Sequence, residues 1–147
     1  HTDQFMLGYL HGNGSPFEEE DGVRWLKTGD YGWLDEDGYL YFKQRIKNMI
    51  KVSGVPVYPS EIEAAAQGVK GVRKACAVGI PDAVKGQVVR LFVEPSPGAD
   101  RADLSVRITE ECRRVLIAYA VPKEIVFEDR LPVNLIGKID RSELEKR

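Results

Sequence analysis

The sequence predicts an α+β domain. Three observations point to it. The run QVVRLFVEP (87–95) is apolar on both faces, as a buried central strand requires. Leu104, Ile108, Cys112 and Val115 recur at helical spacing. Two short runs of alternating residues turn at Asp-Gly and Ser-Gly dipeptides, the signature of hairpins. The expected core is a three-stranded sheet with helices on one side plus a β-hairpin, from Asn48 onward, preceded by further strands.

In order along the chain, residues 1–27 are expected to be poorly organised, because HGNGSPFEEEDG is turn-rich and acidic. Tyr31–Leu34 and Tyr39–Phe42 then form aromatic-rich strands around the turn DEDG. MIKVSGVPVYP reads as a second hairpin turning at Ser53-Gly54. Ser60 and Glu63 match a capping box, which predicts a helix from Glu61 to Gln67 stopped by Gly68. VRKACAVGIPD is a strand ending at Pro81, DAVKG a loop, and QVVRLFVEP the central strand. PSPGAD links it to an amphipathic helix from Arg101 to Tyr119, which ends before Pro122. KEIVF is a short strand, and a last helix starts at Asp140, with Asp140 and Glu143 suited to its cap and first turn.

The chain has 147 residues, with 43% hydrophobic and 30% charged, enough for a domain with its own core. A net charge of -2 gives no electrostatic case for nucleic acid. Cys76 and Cys112 lie far apart and read as buried, reduced thiols. His1 and His11 have no partners at ligand spacing, so no metal site is expected. No apolar run approaches the ~20 residues of a membrane span, and HTDQFMLGYL has no secretory pattern. A cytoplasmic setting is the expectation.

Five residues are candidates for chemistry. Asp30, in KTGD, can accept hydrogen bonds from two vicinal hydroxyls with its two oxygens; a plain turn is the alternative. Arg45 ends a hairpin strand with a planar fork suited to ribose or phosphate oxygens, or simply to solvent. Lys47 lies between two structured segments, where a rotating link needs a residue at ease with changing backbone angles; a surface lysine fits equally. Gly54, in VSGV, permits a ligand to approach the backbone and also suits a tight turn. Lys138, in IGKID, can place an ammonium where a carboxylate attacks a phosphate, stabilising charge that grows in the transition state; a plain surface lysine is the alternative.

The ordered set KTGDYGWLDEDGYLYF, RIKNMIKVSG, VYPSEIE, AYAVPKEIVF and PVNLIGKIDR resembles the C-terminal part of AMP-forming acyl-CoA synthetases, the adenylate-forming superfamily. The resemblance runs from about Gly8 to Arg147. It implies that residues 1–44 are the end of a large N-terminal domain, partly disordered, that 45–47 are the hinge, and that 48–147 are the C-terminal lid. It implies ribose contacts from Asp30 and Arg45, a hinge at Lys47, and Gly54 beside the pantetheine arm of CoA. Lys138 would serve adenylate formation. ATP, Mg2+ and CoA are the implied ligands, and a carboxylic acid the substrate. Gln44, Asn48 and Ile136 stand where the family often has glycine, an acidic residue and a hydroxyl residue. An aliphatic residue before Gly-Lys, with MIKVSGVPVYPSEIE, leans towards fatty or related acids.

Neither a GxxxxGK[ST] loop nor the family's Ser/Thr/Gly-rich phosphate loop occurs, since Gly12-Asn13-Gly14-Ser15 is too short. The expectation is therefore a C-terminal portion, inactive alone, whose partner is the large domain of the same enzyme. Its apolar hairpin over 28–44 should pack on that domain; without it, a homodimer or disorder before about Lys27 is expected. Two other readings stay open. One is the lid of an amino-acid-activating adenylation domain of a peptide synthetase. The other is a non-catalytic α+β interaction module.

Overall fold

The computed structural model describes residues 5–10 and 14–147. The expectations for His1 and His11, and part of the HGNGSPFEEEDG stretch, lie outside the described residues. The chain divides into two compact units, 1–47 and 48–147.

The first unit holds two antiparallel hairpins. Strand β1 (Phe17–Glu20) pairs with β2 (Val23–Leu26), in register from Phe17↔Leu26 to Glu20↔Val23. For residues 17–26 this corrects the expectation of poor organisation. The physical reason is the Asp21-Gly22 turn, with φ of 51° and 74°, which matches the twist of paired strands. The Arg24 guanidinium sits 3.9 Å over the Phe17 ring and adds a cation–π contact. Strand β3 (Asp30–Leu34) pairs with β4 (Leu40–Arg45) around the predicted DEDG turn. Asp35 Oδ1 accepts the Tyr39 and Asp37 amides at 2.8 and 3.1 Å, which closes that turn. Trp33 and Tyr41 stack with centroids 5.3 Å apart. Trp33, Leu34, Tyr39, Leu40 and Phe42 are all exposed.

The second unit is one mixed sheet with helices. Strands β5 (Ile50–Val52), β6 (Val55–Val57), β7 (Val72–Asp82) and β8 (Gly86–Pro95) run in the order β6-β5-β8-β7, and β9 (Glu124–Phe127) pairs parallel to β8. The α+β class is as read, but the three strands and the hairpin are not separate. The Val52↔Gly86 pairing joins them into five strands. Long β7 and β8 turn through an Asx motif in which Asp82 Oδ1 accepts the Val84 and Lys85 amides at 3.0 and 2.9 Å.

Helices α1 (Pro59–Gln67) and α2 (Arg101–Val115) cover one face of the sheet. Ile62, Ala65 and Ala66 of α1, with Leu104, Ile108 and Cys112 of α2, pack on Ala75, Ala77, Val89, Leu91 and Val93. The opposite face is not open, as helices on a single side would leave it. Leu131, Ile139 and Leu144 from the C-terminal segment, which ends in the single turn α3 (Arg141–Leu144), cover Cys76, Val78 and Phe92.

Two helix ends differ from the pattern-based reading. Pro59 takes the first turn of α1, so Tyr58 is the N-cap and no side chain caps it. Ser60 is thereby inside the helix, and the capping box does not form. Helix α2 stops at Val115; an extended Leu116 and a 3-10 turn at Ala118–Ala120 bring Ala120 and Val121 into the core. Asp100 caps α2, accepting the Ala102 and Asp103 amides at 2.8 and 3.4 Å. Asp100→Ala should remove about 1 kcal/mol, and thermal unfolding should show a Tm lower by roughly 4–8 °C for a unit this size.

Candidate functional site

Asp30 and Arg45 are cross-strand partners at the open end of the β3–β4 hairpin. Arg45 Nε lies 2.9 Å from Asp30 Oδ1, and its Nη1 donates to the Thr28 carbonyl at 2.6 Å. Thr28 Oγ1 accepts the Asp30 amide at 3.2 Å. The turn through Gly29, with φ of 73°, lets the Ile46 amide reach the Gly29 carbonyl at 2.8 Å and keeps the strand ends together. These residues line an open concavity of about 1020 Å³, together with Leu26, Lys27 and Lys47. A carboxylate and a guanidinium fork at one rim can take neighbouring hydroxyls: the carboxylate as acceptor, the fork as donor.

Lys47 is exposed, on the 3-10 turn Ile46–Asn48 where the first unit ends. Gly54 forms the β5–β6 turn with Ser53, at φ of 80° and 51°. Nothing lies within 4 Å of where a Cβ would stand on Gly54, so its backbone faces open space. The turn angle alone already favours glycine there.

Lys138 lies on a tight loop built by one asparagine. Asn134 Oδ1 accepts the Ile136 and Lys138 amides at 3.1 and 3.0 Å, while the Asn134 amide donates to the Lys138 carbonyl at 2.8 Å. Val133 bridges Ile139, and Gly137 turns with φ of 78°. The result presents Lys138 on the surface, and its ammonium makes no ion pair among the described residues. Leu135 is fully exposed and Ile136 is 75% exposed beside it.

Thus Asp30, Arg45 and Lys47 share one concavity in the first unit. Gly54 and Lys138 lie on separate loops of the second. The β5–β6 turn leans on the β7–β8 loop through the Ser53 amide and the Lys85 carbonyl, 2.8 Å apart. The Lys138 loop instead rests on the sheet face under Leu131 and Leu144.

Glu94, Arg73 and Arg141 escaped the sequence reading, and Glu63 was read in another role. Glu94 is fully buried on β8; its Oε2 accepts the Leu131 amide at 3.0 Å. Arg73 Nη2 stands 2.6 Å from Glu94 Oε1, at ion-pair distance but off the hydrogen-bond direction. Glu63, read as a cap, reaches β7 instead, and Arg141 joins it there. The available signal was a lone carboxylate inside the apolar run of β8, and an arginine following directly on IGKID. Among the described residues, no group of three or more His, Cys, Asp or Glu side chains can hold a metal ion. No helix among them is long and apolar enough to cross a membrane.

With this geometry in view, the sequence profile of the AMP-binding enzyme C-terminal domain matches residues 61–138. The chain belongs to the AMP-binding enzyme C-terminal domain family. A long-chain-fatty-acid–CoA ligase of Salmonella typhimurium is 43% identical over 142 residues, covering 96% of this chain and 24% of that protein. The chain thus spans about a quarter of the length of the curated relatives it matches. A Mycobacterium tuberculosis fatty acyl CoA synthetase superposes with a TM-score of 0.68 at 36% identity, covering 86% of this chain and 24% of the other. ATP-bound MatB from Rhodopseudomonas palustris superposes with a TM-score of 0.75 at 31% identity, covering 88% of this chain and 25% of its own.

Both cysteines, Cys76 and Cys112, are free and buried. Burial pushes the Cys76 thiol up to about 12 and the Cys112 thiol up to about 11. Neither thiol should react with DTNB at pH 8 in the native chain, and both should once it is denatured. Rapid labelling of the native chain would contradict their placement.

Proposed function

We propose that this chain forms the last strands of the large domain, the hinge and the C-terminal lid of an ATP-dependent, AMP-forming acyl-CoA synthetase. The observation that carries the reading is an exposed Lys138 ammonium, with no ion pair among the described residues, on a loop fixed at its base, in a chain 43% identical to a long-chain-fatty-acid–CoA ligase. That relative's name also supports a fatty or related acid as substrate, and free CoA over a carrier protein as thiol acceptor. The proposed setting is the cytoplasm.

In the first half-reaction a carboxylate oxygen attacks the α-phosphorus of ATP. The bond to the β-phosphate breaks, and pyrophosphate leaves as the acyl-adenylate forms. Negative charge grows on the oxygens between the two reactants, and the Lys138 ammonium stabilises it there. Asp30 and Arg45 hold the ribose hydroxyls, which fixes the nucleotide against the moving lid. Their carboxylate and guanidinium at one open concavity fit that ligand. ATP brings Mg2+ in this family's chemistry; the described residues offer no group of three or more His, Cys, Asp or Glu side chains to hold it.

In the second half-reaction the lid turns about Lys47. The division of the chain into compact units after that residue supports a pivot at 45–47. The CoA sulfur then attacks the acyl carbonyl, its proton is lost, and AMP leaves with the anhydride bond's electrons. Gly54, with open space over its backbone, gives the pantetheine arm room to pass.

In the full-length protein, Lys138→Ala should lower adenylate formation by about 100-fold or more, in line with loss of one transition-state charge. Thioester formation from supplied acyl-adenylate should be spared. Equal rates for both half-reactions in variant and parent would sink this reading, as would ATP–pyrophosphate exchange by the 147-residue chain alone. The exposed aromatic face of β3–β4 belongs against the remainder of the large domain in this proposal. Sedimentation of the isolated chain should accordingly show self-association; a strict monomer at all concentrations would count against it.

A further inference from the structure

Strand β7 is an edge of the five-stranded sheet, so the backbone of alternate residues on it faces outward without a strand partner. At Ala77 those groups are closed by side chains. Glu63 Oε1, from α1, accepts the Ala77 amide at 2.9 Å. Arg141 Nη2 donates to the same Oε1 at 2.7 Å, and its Nη1 donates to the Ala77 carbonyl. One guanidinium therefore ties together the first helix, the sheet edge and the segment that follows Lys138. The Arg141 and Glu63 side chains are only 22% and 20% exposed, so solvent competes weakly for this contact.

The position of Arg141 gives the contact a second meaning. The Lys138 loop is a closed unit: the Asp140 amide donates to the Pro132 carbonyl at 2.8 Å, and Val133 bridges Ile139. Such a unit moves as one piece, so its direction is set by what holds its two ends. At the entrance the Leu131 amide is bonded to buried Glu94. At the exit Arg141 lies three residues beyond Lys138 and is bonded to two elements at once. A planar fork can satisfy a carboxylate oxygen and a carbonyl in fixed relation; a single ammonium holds only one direction less firmly.

We propose that Arg141, held by Glu63, is a positioning residue that fixes the direction in which the Lys138 ammonium projects from the domain. The inference rests on the role of Lys138 in adenylate formation proposed above. Loss of the tie leaves the loop intact but removes the polar anchor at its exit, so that only the apolar packing of Ile139 and Leu144 holds that end and the loop can shift as a unit. A misplacement of about 1 Å at the reacting atoms is worth about 100-fold in rate.

The test measures both half-reactions in the full-length protein. Arg141→Gln should lower kcat for adenylate formation by about 10- to 100-fold, with KM for ATP changed by less than about twofold and thioester formation from supplied acyl-adenylate unchanged. Arg141→Lys should recover part of the loss. A purely stabilising pair would lower both half-reactions together, or neither, and either result overturns the inference while Lys138→Ala still abolishes adenylation. Should Lys138→Ala spare adenylation, the proposed function fails first and this inference falls with it. Where Arg141→Gln does not fold, Glu63→Gln decides, because its amide oxygen still accepts the Ala77 amide while the charge on Arg141 loses its partner. The same split between half-reactions is expected, and its absence overturns the assignment.

Discussion

Strand β8 presents apolar residues to both sides of the sheet, and everything in the second unit answers to that constraint. Leu91 and Val93 face α1 and α2, while Phe92 faces away from them. A sheet apolar on both sides needs two covers, since exposing either leaves about 1.5–3 kcal/mol per large side chain unrealised. The second cover is the C-terminal segment, through Leu131, Ile139 and Leu144. The loop that carries Lys138 lies between these buried anchors. The ends of this stretch are core and its middle is surface, an arrangement that gives the Lys138 side chain a rigid base.

The first unit follows another logic. Its two hairpins have little buried between them, and the stacked Trp33 and Tyr41 remain half-exposed. What it does fix is the end of β3 and β4, where the Asp30–Arg45 pair, the Thr28 hydroxyl and the Gly29 turn bond one another. A close polar cluster at a hairpin end depends on backbone pairing rather than on a core. It can therefore be well formed in a unit whose apolar face is bare.

Local rules read most of this well. Asp-Gly at 37–38 and Ser53-Gly54 announced their turns because each turn type demands residues that tolerate positive φ. The apolar run of β8 announced a strand covered on both sides. The misreadings share one cause, which is competition between neighbouring signals or with distant partners. Asp21-Gly22 lay in an acidic, turn-rich stretch whose composition suggested disorder, yet the turn and Arg24 on Phe17 suffice for a hairpin. Pro59 displaced Ser60 as the start of α1 because its ring fits the first helical position. Glu63 was free to be a cap by spacing, but a sheet edge 14 residues away offered an amide and Arg141 a charge. The motifs nominated the individual residues of the proposed site, while the ties of Glu94 and Arg141 carried no such local mark. Contacts across 37 and 78 positions leave no periodicity in a sequence.

Leu135 and Ile136 at the tip of the Lys138 loop are bare hydrocarbon standing in water. Any dry surface that receives the tip gains about 1.5–3 kcal/mol for each of them, which offsets the loss of hydration by the ammonium two residues on. Their bulk would also sweep solvent from its surroundings. In such a dehydrated setting a single positive charge would act at a far lower dielectric constant and attract a nearby anion more strongly. An apolar tip beside an ammonium would in this sense bring a piece of protein interior to whatever surface it meets.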